Sequence, residues 1–100
     1  MVHIPVNHTQ LAAFCHRHHI RKLSFFGSVL RADFRSGSDV DVLVEFEAGH
    51  VPGFLALSGL EQQLSKLLGG HTVDLRTPQD LSRYFRDDVL ASAEVHYAAA

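Results

Sequence analysis

Residues 39–46, with the sequence DVDVLVEF, constrain the fold of this chain more than any other segment. Their valine content and two-residue period predict a β-strand, in which side chains at positions i and i+2 point to the same face. The core-facing row then consists of Val40, Val42, Val44 and Phe46. Asp39 and Asp41 project together from the other face. Two carboxylates side by side with an apolar floor beneath them indicate a site for a hard cation.

A second strand is predicted immediately before a Gly-Ser pair. Residues 22–26 (KLSFF) are rich in aromatic side chains and end at Gly27. Gly27 would let the backbone approach a ligand without a Cβ in between, and a short helix after Ser28 would offer free N–H groups to phosphate oxygens. An isolated Gly-Ser pair is usually only a turn. Its significance here depends on the acid pair that follows.

Two amphipathic helices are predicted on either side of these strands. Thr9 is a suitable N-cap for a helix that runs to about His18. Residues 54–68 form the second helix, which Gly69 and Gly70 stop. Its apolar stripe consists of Leu57, Leu60, Leu64, Leu67 and Leu68.

The C-terminal third predicts one more strand and one more helix. Residues 71–76 form a short strand in which Asp74 joins the polar row. Thr77 and Pro78 are a cap and a first helical residue for a final helix with a frayed alanine-rich end. The inward stripe of this helix is predicted to consist of Leu81, Tyr84, Phe85, Val89 and Ser92.

This alternation of strands and helices predicts an α/β (α+β) fold, with a small mixed sheet of three to four strands flanked by helices. The 100 residues suit one domain spanning residues 1–100. No apolar run approaches the ~18 residues of a membrane span, and we expect a soluble, cytoplasmic protein with one unpaired cysteine and no signal peptide. A net charge of −2 argues against dedicated nucleic-acid binding.

The first helix also contains a group of possible zinc ligands. Cys15, His16, His18 and His19 lie within one helical turn or so of one another. A structural zinc site needs about four ligands, and no second cluster at zinc-finger spacing follows. A buried cysteine with surface histidines is the preferred interpretation, and metal binding by this cluster stays open.

Three carboxylates on neighbouring strands would repel one another unless a cation lay between them. Like charges ~4 Å apart interact by about 4 kcal/mol at an effective dielectric near 20. Oxygen-only ligation by Asp39, Asp41 and Asp74 favours Mg²⁺ or Mn²⁺ over zinc. A calcium EF-hand loop is excluded because its pattern of acidic positions fails at Leu43.

The order of these residues resembles the signature of a known enzyme superfamily. Gly27 and Ser28, ten further residues, Asp39-x-Asp41 and a later strand with Asp74 are similar to the G-S-x10-D-x-D…D pattern of the DNA polymerase β-like nucleotidyltransferases. The motifs span close to half of the chain. The resemblance implies a nucleotidyltransferase fold and activity.

Arg31 and Ser38 narrow the resemblance to the minimal nucleotidyltransferase (MNT) family, whose members carry G-S-x-A-R-G followed by S-D-x-D. Leu30 stands where alanine is usual and Ala32 where glycine is usual. Both departures concern the geometry near the phosphates rather than the metal site. Arg31 is a candidate for binding the triphosphate or, alternatively, for an ion pair with Asp33. Ser38 is a candidate nucleotide-binding residue or only a cap or turn former.

The resemblance also implies roles for the other motif residues. Asp39, Asp41 and Asp74 would be the catalytic acids and would hold two Mg²⁺ ions, with Mn²⁺ as an alternative. ATP would be the substrate, and Gly27 and Ser28 would hold its β- and γ-phosphates. Asp74 would complete the metal nearest the nucleophile.

Two functional classes follow from the resemblance. MNT proteins resemble antitoxins encoded beside a HEPN ribonuclease toxin, which implies a protein adenylyltransferase that moves AMP to a hydroxyl, expected to be tyrosine, on that partner. The alternative is a catalytically silent module of the same fold that neutralises its partner by binding alone. Retention of all three repelling acids favours the enzyme. The base preference, the acceptor and the number of nucleotides added stay open.

Overall fold

The computed structural model describes residues 1–35 and 37–99. Ser36, in the predicted polar loop, and Ala100, at the predicted frayed end, lie outside the described residues. In chain order the elements are α1 (His8–Arg17), β1 (Ile20–Phe26), a 3₁₀ turn (Gly27–Leu30), β2 (Val40–Phe46), α2 (Phe54–Leu67), β3 (Val73–Arg76), a 3₁₀ turn (Pro78–Asp80), α3 (Arg86–Ser92) and β4 (Glu94–Ala98).

The strands form one four-stranded mixed sheet in the order β3-β2-β1-β4. β1 pairs antiparallel with both β2 and β4, and β2 pairs parallel with β3. A parallel pair needs a crossover connection, and α2 supplies it between β2 and β3. The predicted fold class is therefore confirmed, with four strands.

The valine row of β2 faces the core as predicted. Val40, Val42 and Val44 are fully buried, and Phe46 packs against the same cluster. α1, α2 and the C-cap of α2 contribute to this cluster the buried side chains Leu11, Phe14, Cys15, Leu60, Leu64 and Leu68. Both helices therefore cover the face of the sheet opposite to the aspartates.

Three predicted boundaries are wrong by a few residues. Asn7 rather than Thr9 caps α1, and its side chain accepts a hydrogen bond of 3.0 Å from the Gln10 N–H. Asn and Asp are at least as good N-caps as Thr, so a capping residue two positions earlier was available. β1 begins at Ile20, and β3 begins only at Val73.

β3 lies at one edge of the sheet, and β4 lies at the other. The Leu75 N–H on this strand donates to the Glu61 side chain of α2 at 2.8 Å. One of the outward backbone donors of the edge strand is therefore occupied by a carboxylate.

The predicted C-terminal helix is the main error. Thr77 and Asp80 do form a capping box, but it caps the N-terminus of a single 3₁₀ turn. The helix α3 begins only at Arg86. Of the predicted inward stripe Leu81 is buried, whereas Tyr84 is 83% exposed and Phe85 49% exposed. Residues 94–98 form β4, where the frayed end of a helix was predicted. Pairing with β1 satisfies backbone groups along an edge that would otherwise be open.

Within residues 1–35 and 37–99, no helix combines the length and the apolar character needed to cross a membrane.

Candidate functional site

Asp41 and Asp74 lie side by side on adjacent strands. They are register partners in the parallel pair of β2 and β3. Asp39 immediately precedes β2 and is exposed, whereas Asp41 and Asp74 are half-buried. The alternation of β2, which sends its valines to the core, sends Asp41 to the other face. The structure thus places the three predicted acids at one end of the two strands.

The electrostatics of Asp41 show that these charges interact. Burial raises the pKa of Asp41, and the negative charges of Asp74 and Asp39 raise it further. The guanidinium of Arg76 acts in the opposite direction on the same pKa. Ionisation of Asp41 is therefore unfavourable in the free protein, and a bound cation would relieve this penalty.

The three aspartates do not all converge on one point. Among the residues that the structure describes, a group of three side chains with potential ligand atoms all within 4.8 Å occurs only at His19, Glu47 and His50. Mutual repulsion keeps carboxylates apart when no cation lies between them. Two metal ions about 3.5–4 Å apart also need a more extended set of oxygens than a single ion does.

Arg76 is a neighbour of the acids that the sequence analysis missed. Its Nε donates to Asp74 Oδ1 at 3.1 Å and its Nη2 donates to Asp74 Oδ2 at 3.2 Å. The signal was present in the sequence, because positions 74 and 76 are two residues apart in a strand and share a face. This bidentate pair holds the Asp74 carboxylate in the free protein.

The Gly-Ser turn contacts the acids directly. Phe26, the last residue of β1, pairs with Asp41, and Gly27 follows with a φ of +73°. A Cβ at Gly27 would collide with a carboxylate oxygen of Asp41 and would lie 3.3 Å from its Cγ. The Ser28 hydroxyl donates to the Asp39 carbonyl at 3.4 Å. Glycine is thus required by both the backbone angle and the close approach of Asp41.

The predicted short helix after the glycine is present as the 3₁₀ turn Gly27–Leu30. Arg31 follows this turn and is exposed. In the described part of the chain, Arg31 and Asp33 form no ion pair. The Ser38 N–H donates to the Arg35 carbonyl at 2.9 Å, as expected for a turn former.

A cleft of about 210 Å³ opens above Asp41 and Asp74. These two acids form its polar wall together with Arg76 and Asp80, and its apolar wall consists of Phe26, Leu81 and Phe85. A second cleft of about 330 Å³ shares Asp74, Arg76 and Asp80 and extends to Phe54 and Leu57 on α2. The contributions of Asp80 and Phe85 were not predicted, because they depend on the loop after β3 folding back over the sheet.

Cys15 takes no part in this site. It is fully buried, and burial raises the pKa of its thiol to about 12. The thiol is therefore neutral at physiological pH in the absence of a metal.

The fold is that of a nucleotidyltransferase domain. The family model described as "Nucleotidyltransferase domain" matches residues 9–96. The chain therefore belongs to the nucleotidyltransferase domain family, as a minimal member.

Similar proteins narrow the class further. The MJ0435 protein of Methanocaldococcus jannaschii, named as a candidate protein adenylyltransferase, is 34% identical over 77 residues, which cover 77% of this chain and 80% of that protein. The protein adenylyltransferase MntA of Thermococcus cleftensis is 42% identical over 50 residues, which cover 50% of this chain. The matched segment spans 48% of the length of that relative.

Solved structures show the same fold. A candidate minimal nucleotidyltransferase superposes with a TM-score of 0.70 at 35% identity, over 86% of this chain and 85% of that chain. A toxin-antitoxin structure with AMP-PNP superposes with a TM-score of 0.74 at 19% identity, over 94% of this chain and 75% of that chain. The complex of a tri-AMPylated Shewanella oneidensis HEPN toxin with its MNT antitoxin gives a TM-score of 0.66 at 18% identity, over 92% of this chain and 70% of that chain.

Proposed function

We propose that this chain is a Mg²⁺-dependent protein adenylyltransferase, which transfers AMP from ATP to a hydroxyl side chain of a HEPN-type toxin and so acts as an antitoxin. The observation that carries the proposal is the pairing of Asp41 with Asp74 on adjacent strands, beside Asp39 and against the Gly27 turn. The names of the relatives support the choice of a protein as acceptor.

The aspartates suit the metal that this chemistry needs. Asp39, Asp41 and Asp74 would hold Mg²⁺, with two ions expected and Mn²⁺ as a substitute. Burial and the charges of the other two acids raise the pKa of Asp41, so ionisation of this carboxylate costs free energy. A bound cation would remove that cost. When bound, the metal neutralises the triphosphate, lowers the pKa of the acceptor hydroxyl and stabilises the departing pyrophosphate. The pair of Asp74 with Arg76 takes up one acceptor site on each oxygen of the carboxylate that the metal would use.

The turn after β1 would position the phosphates. Gly27 offers a surface without a side chain beside Asp41, and the Ser28 hydroxyl bonds only weakly to the Asp39 carbonyl at 3.4 Å. The hydroxyl can exchange that contact for a phosphate oxygen. Arg31 is exposed near the end of the same turn, where its guanidinium can pair with the triphosphate. The evidence that Ser38 binds nucleotide is weaker, because its backbone hydrogen bond to Arg35 already accounts for it as a turn former.

The shape of the site favours a folded protein as acceptor. The two clefts are smaller than or at the low end of the roughly 300–1,000 Å³ of pockets that bury a small ligand. Phe54 and Phe85 line these clefts, and they are 82% and 49% exposed. A protein can cover exposed apolar side chains beside the acids while presenting one hydroxyl, and tyrosine reaches furthest of the three hydroxyl side chains.

The test is to incubate the purified chain with its HEPN-type partner, ATP and Mg²⁺, and to measure the intact mass of the partner. We expect the partner to gain one or more AMP groups and to lose its ribonuclease activity. The Asp39→Asn, Asp41→Asn variant should add none, whereas the matched Asp33→Asn variant, in the exposed loop between the motifs, should transfer normally. A partner neutralised without added mass, equally well by the double variant, would instead establish the contact-only module.

A further inference from the structure

A second cluster of possible metal ligands lies at the other end of β2 from the aspartates. It consists of His19, between α1 and β1, Glu47, directly after β2, and His50, in the loop that follows. One ligand atom from each of the three side chains lies within 4.8 Å of the other two, and all three residues are exposed. Two imidazoles and a carboxylate are a ligand set for a divalent transition metal.

Backbone hydrogen bonds fix the positions of these three residues relative to one another. The Glu47 N–H donates to the His19 carbonyl at 2.8 Å, which extends the β1–β2 pairing by one step. The His50 N–H donates to the Glu47 carbonyl at 3.0 Å. The backbones of the three residues are therefore held close together, although the residues come from separate segments.

His19 has an unusual backbone conformation. Its φ of +57° lies in the left-handed region, and His19 is the only residue other than glycine with a positive φ in the described part of the chain. The imidazole of His19 stacks on that of His50, with ring centroids 3.9 Å apart and planes 14° from parallel. A left-handed non-glycine residue is a feature for which a function is worth seeking.

We propose that His19, Glu47 and His50 form a binding site for a divalent transition-metal ion, for which Zn²⁺ is the best fit. Zinc lies about 2.0–2.2 Å from nitrogen and oxygen ligands, so neighbouring ligands of a tetrahedral ion are about 3.3 Å apart. His19 Nδ1 and Glu47 Oε1 are already 3.6 Å apart. The exposed ring of His50 needs only a rotation out of its stack, and water would fill the fourth position.

This site is distinct from the candidate nucleotide site in both chemistry and place. Imidazole ligands suit zinc, whereas the aspartates offer only the hard oxygens that magnesium prefers. Glu47 follows Asp41 by six positions along the extended strand, which corresponds to roughly 20 Å at about 3.3 Å per residue. A bound ion would connect the α1–β1 turn to the loop before α2. The inference therefore does not rest on the proposed transferase activity.

The site also revises the zinc hypothesis drawn from the first helix. Of that group only His19 belongs to the cluster, because Cys15 is buried in the core and His18 contacts Gln63 at 3.2 Å. The other two ligands come from the far end of β2, which the spacing along α1 could not reveal.

The test is calorimetric titration of the full chain with Zn²⁺, together with its melting temperature with and without the metal. We expect one saturable site per chain and a higher melting temperature with zinc. His50→Ala and Glu47→Gln should each weaken binding by at least about tenfold, since even the loss of a residue that supports a ligand typically costs about 10–100-fold. His19→Asn should weaken zinc binding by a similar factor. Asparagine is chosen because it tolerates the left-handed backbone at this position.

Two controls separate this site from general binding to histidines and from the aspartates. His16→Ala removes another exposed histidine of the same region, and Asp39→Asn, Asp41→Asn removes the competing acids. Both variants should keep the zinc affinity of the unaltered chain at this site. The proposal would be overturned if the chain did not bind zinc. It would also be overturned if binding survived both His50→Ala and Glu47→Gln, or if His16→Ala weakened it as much as they do. Co²⁺ offers an independent readout, because a tetrahedral site gives intense visible absorption that His50→Ala should abolish.

Discussion

Asp74 and Arg76 form a bidentate ion pair on one face of β3, with N···O distances of 3.1 and 3.2 Å. The arginine offsets the repulsion among the acids in the free protein, and it also lowers the pKa of Asp41. The same contact occupies the carboxylate that a catalytic metal would need. Arg76 and Mg²⁺ are therefore expected to compete for Asp74.

This competition predicts that Arg76→Ala binds Mg²⁺ more tightly when no nucleotide is present. The pair is solvent-exposed, and such pairs contribute about 0.2–1 kcal/mol, so the gain should be at most roughly fivefold. Isothermal calorimetry with MgCl₂ measures it. Arg21→Ala is a matched control, because Arg21 forms an exposed pair of 2.8 Å with Glu45 on the neighbouring strands. Weaker Mg²⁺ binding in Arg76→Ala would show that the arginine orders the site rather than competing for it.

Asp41→Asn should stabilise the metal-free fold. The folded-state pKa of Asp41 is raised, so the ionised carboxylate opposes folding once the pH exceeds the ordinary aspartate value of about 3.9. The melting temperature in excess chelator should rise at pH 7.5, by about 4–8 °C for each kcal/mol gained. The difference from the unaltered chain should narrow as the pH falls through the folded-state pKa, where Asp41 takes up a proton. A lower melting temperature at neutral pH would contradict this account.

Gly27→Ala should impair both the fold and nucleotide binding. A methyl group at this position meets the Asp41 carboxylate, and the φ of +73° is unfavourable for alanine. We expect a loss of about 1 kcal/mol or more in the free energy of unfolding, together with weaker binding of Mg²⁺-ATP. Gly37→Ala is the control, because a Cβ there has no atom within 4 Å. Chemical denaturation and calorimetry provide the two readouts, and equal effects in both variants would remove the special role of Gly27.

Asp74→Asn separates binding from chemistry. If Asp74 serves mainly the metal that activates the acceptor, the variant should keep most of its ATP affinity and lose AMP transfer, because the missing interaction belongs to the transition state. Its side chain is only half-buried, so the fold should survive. Single-turnover transfer and equilibrium ATP binding, measured side by side, decide the matter. Transfer at the unaltered rate would identify a different residue as the third acid.

The sequence predicted the central strands well, because their signals are local. The two-residue period of β2 defined its bounds and placed Asp41 opposite the valines, and the register with β3 then brought Asp74 beside it. The C-terminal region was predicted poorly because its structure depends on distant partners. β4 forms against an edge of β1 about 70 residues earlier in the chain, and no local pattern in residues 94–98 specifies that pairing.

Two side-chain arrangements were not predicted, for different reasons. The Arg76–Asp74 pair was detectable from the two-residue spacing of these positions along a strand. The cluster of His19, Glu47 and His50 was not detectable, because it depends on the β1–β2 pairing that carries Glu47 to the carbonyl of His19. A pattern of ligands along one helix cannot indicate ligands that a sheet brings together.

The hydrogen bond from the Leu75 N–H to Glu61 limits how another protein can approach the site. An open sheet edge normally invites strand addition, in which a partner continues the backbone ladder. β3, the edge strand that carries Asp74, has only four residues, and a carboxylate from α2 already occupies one of its outward donors. An acceptor is therefore expected to approach across the face that carries the aspartates, and to be recognised through its side chains rather than through its main chain.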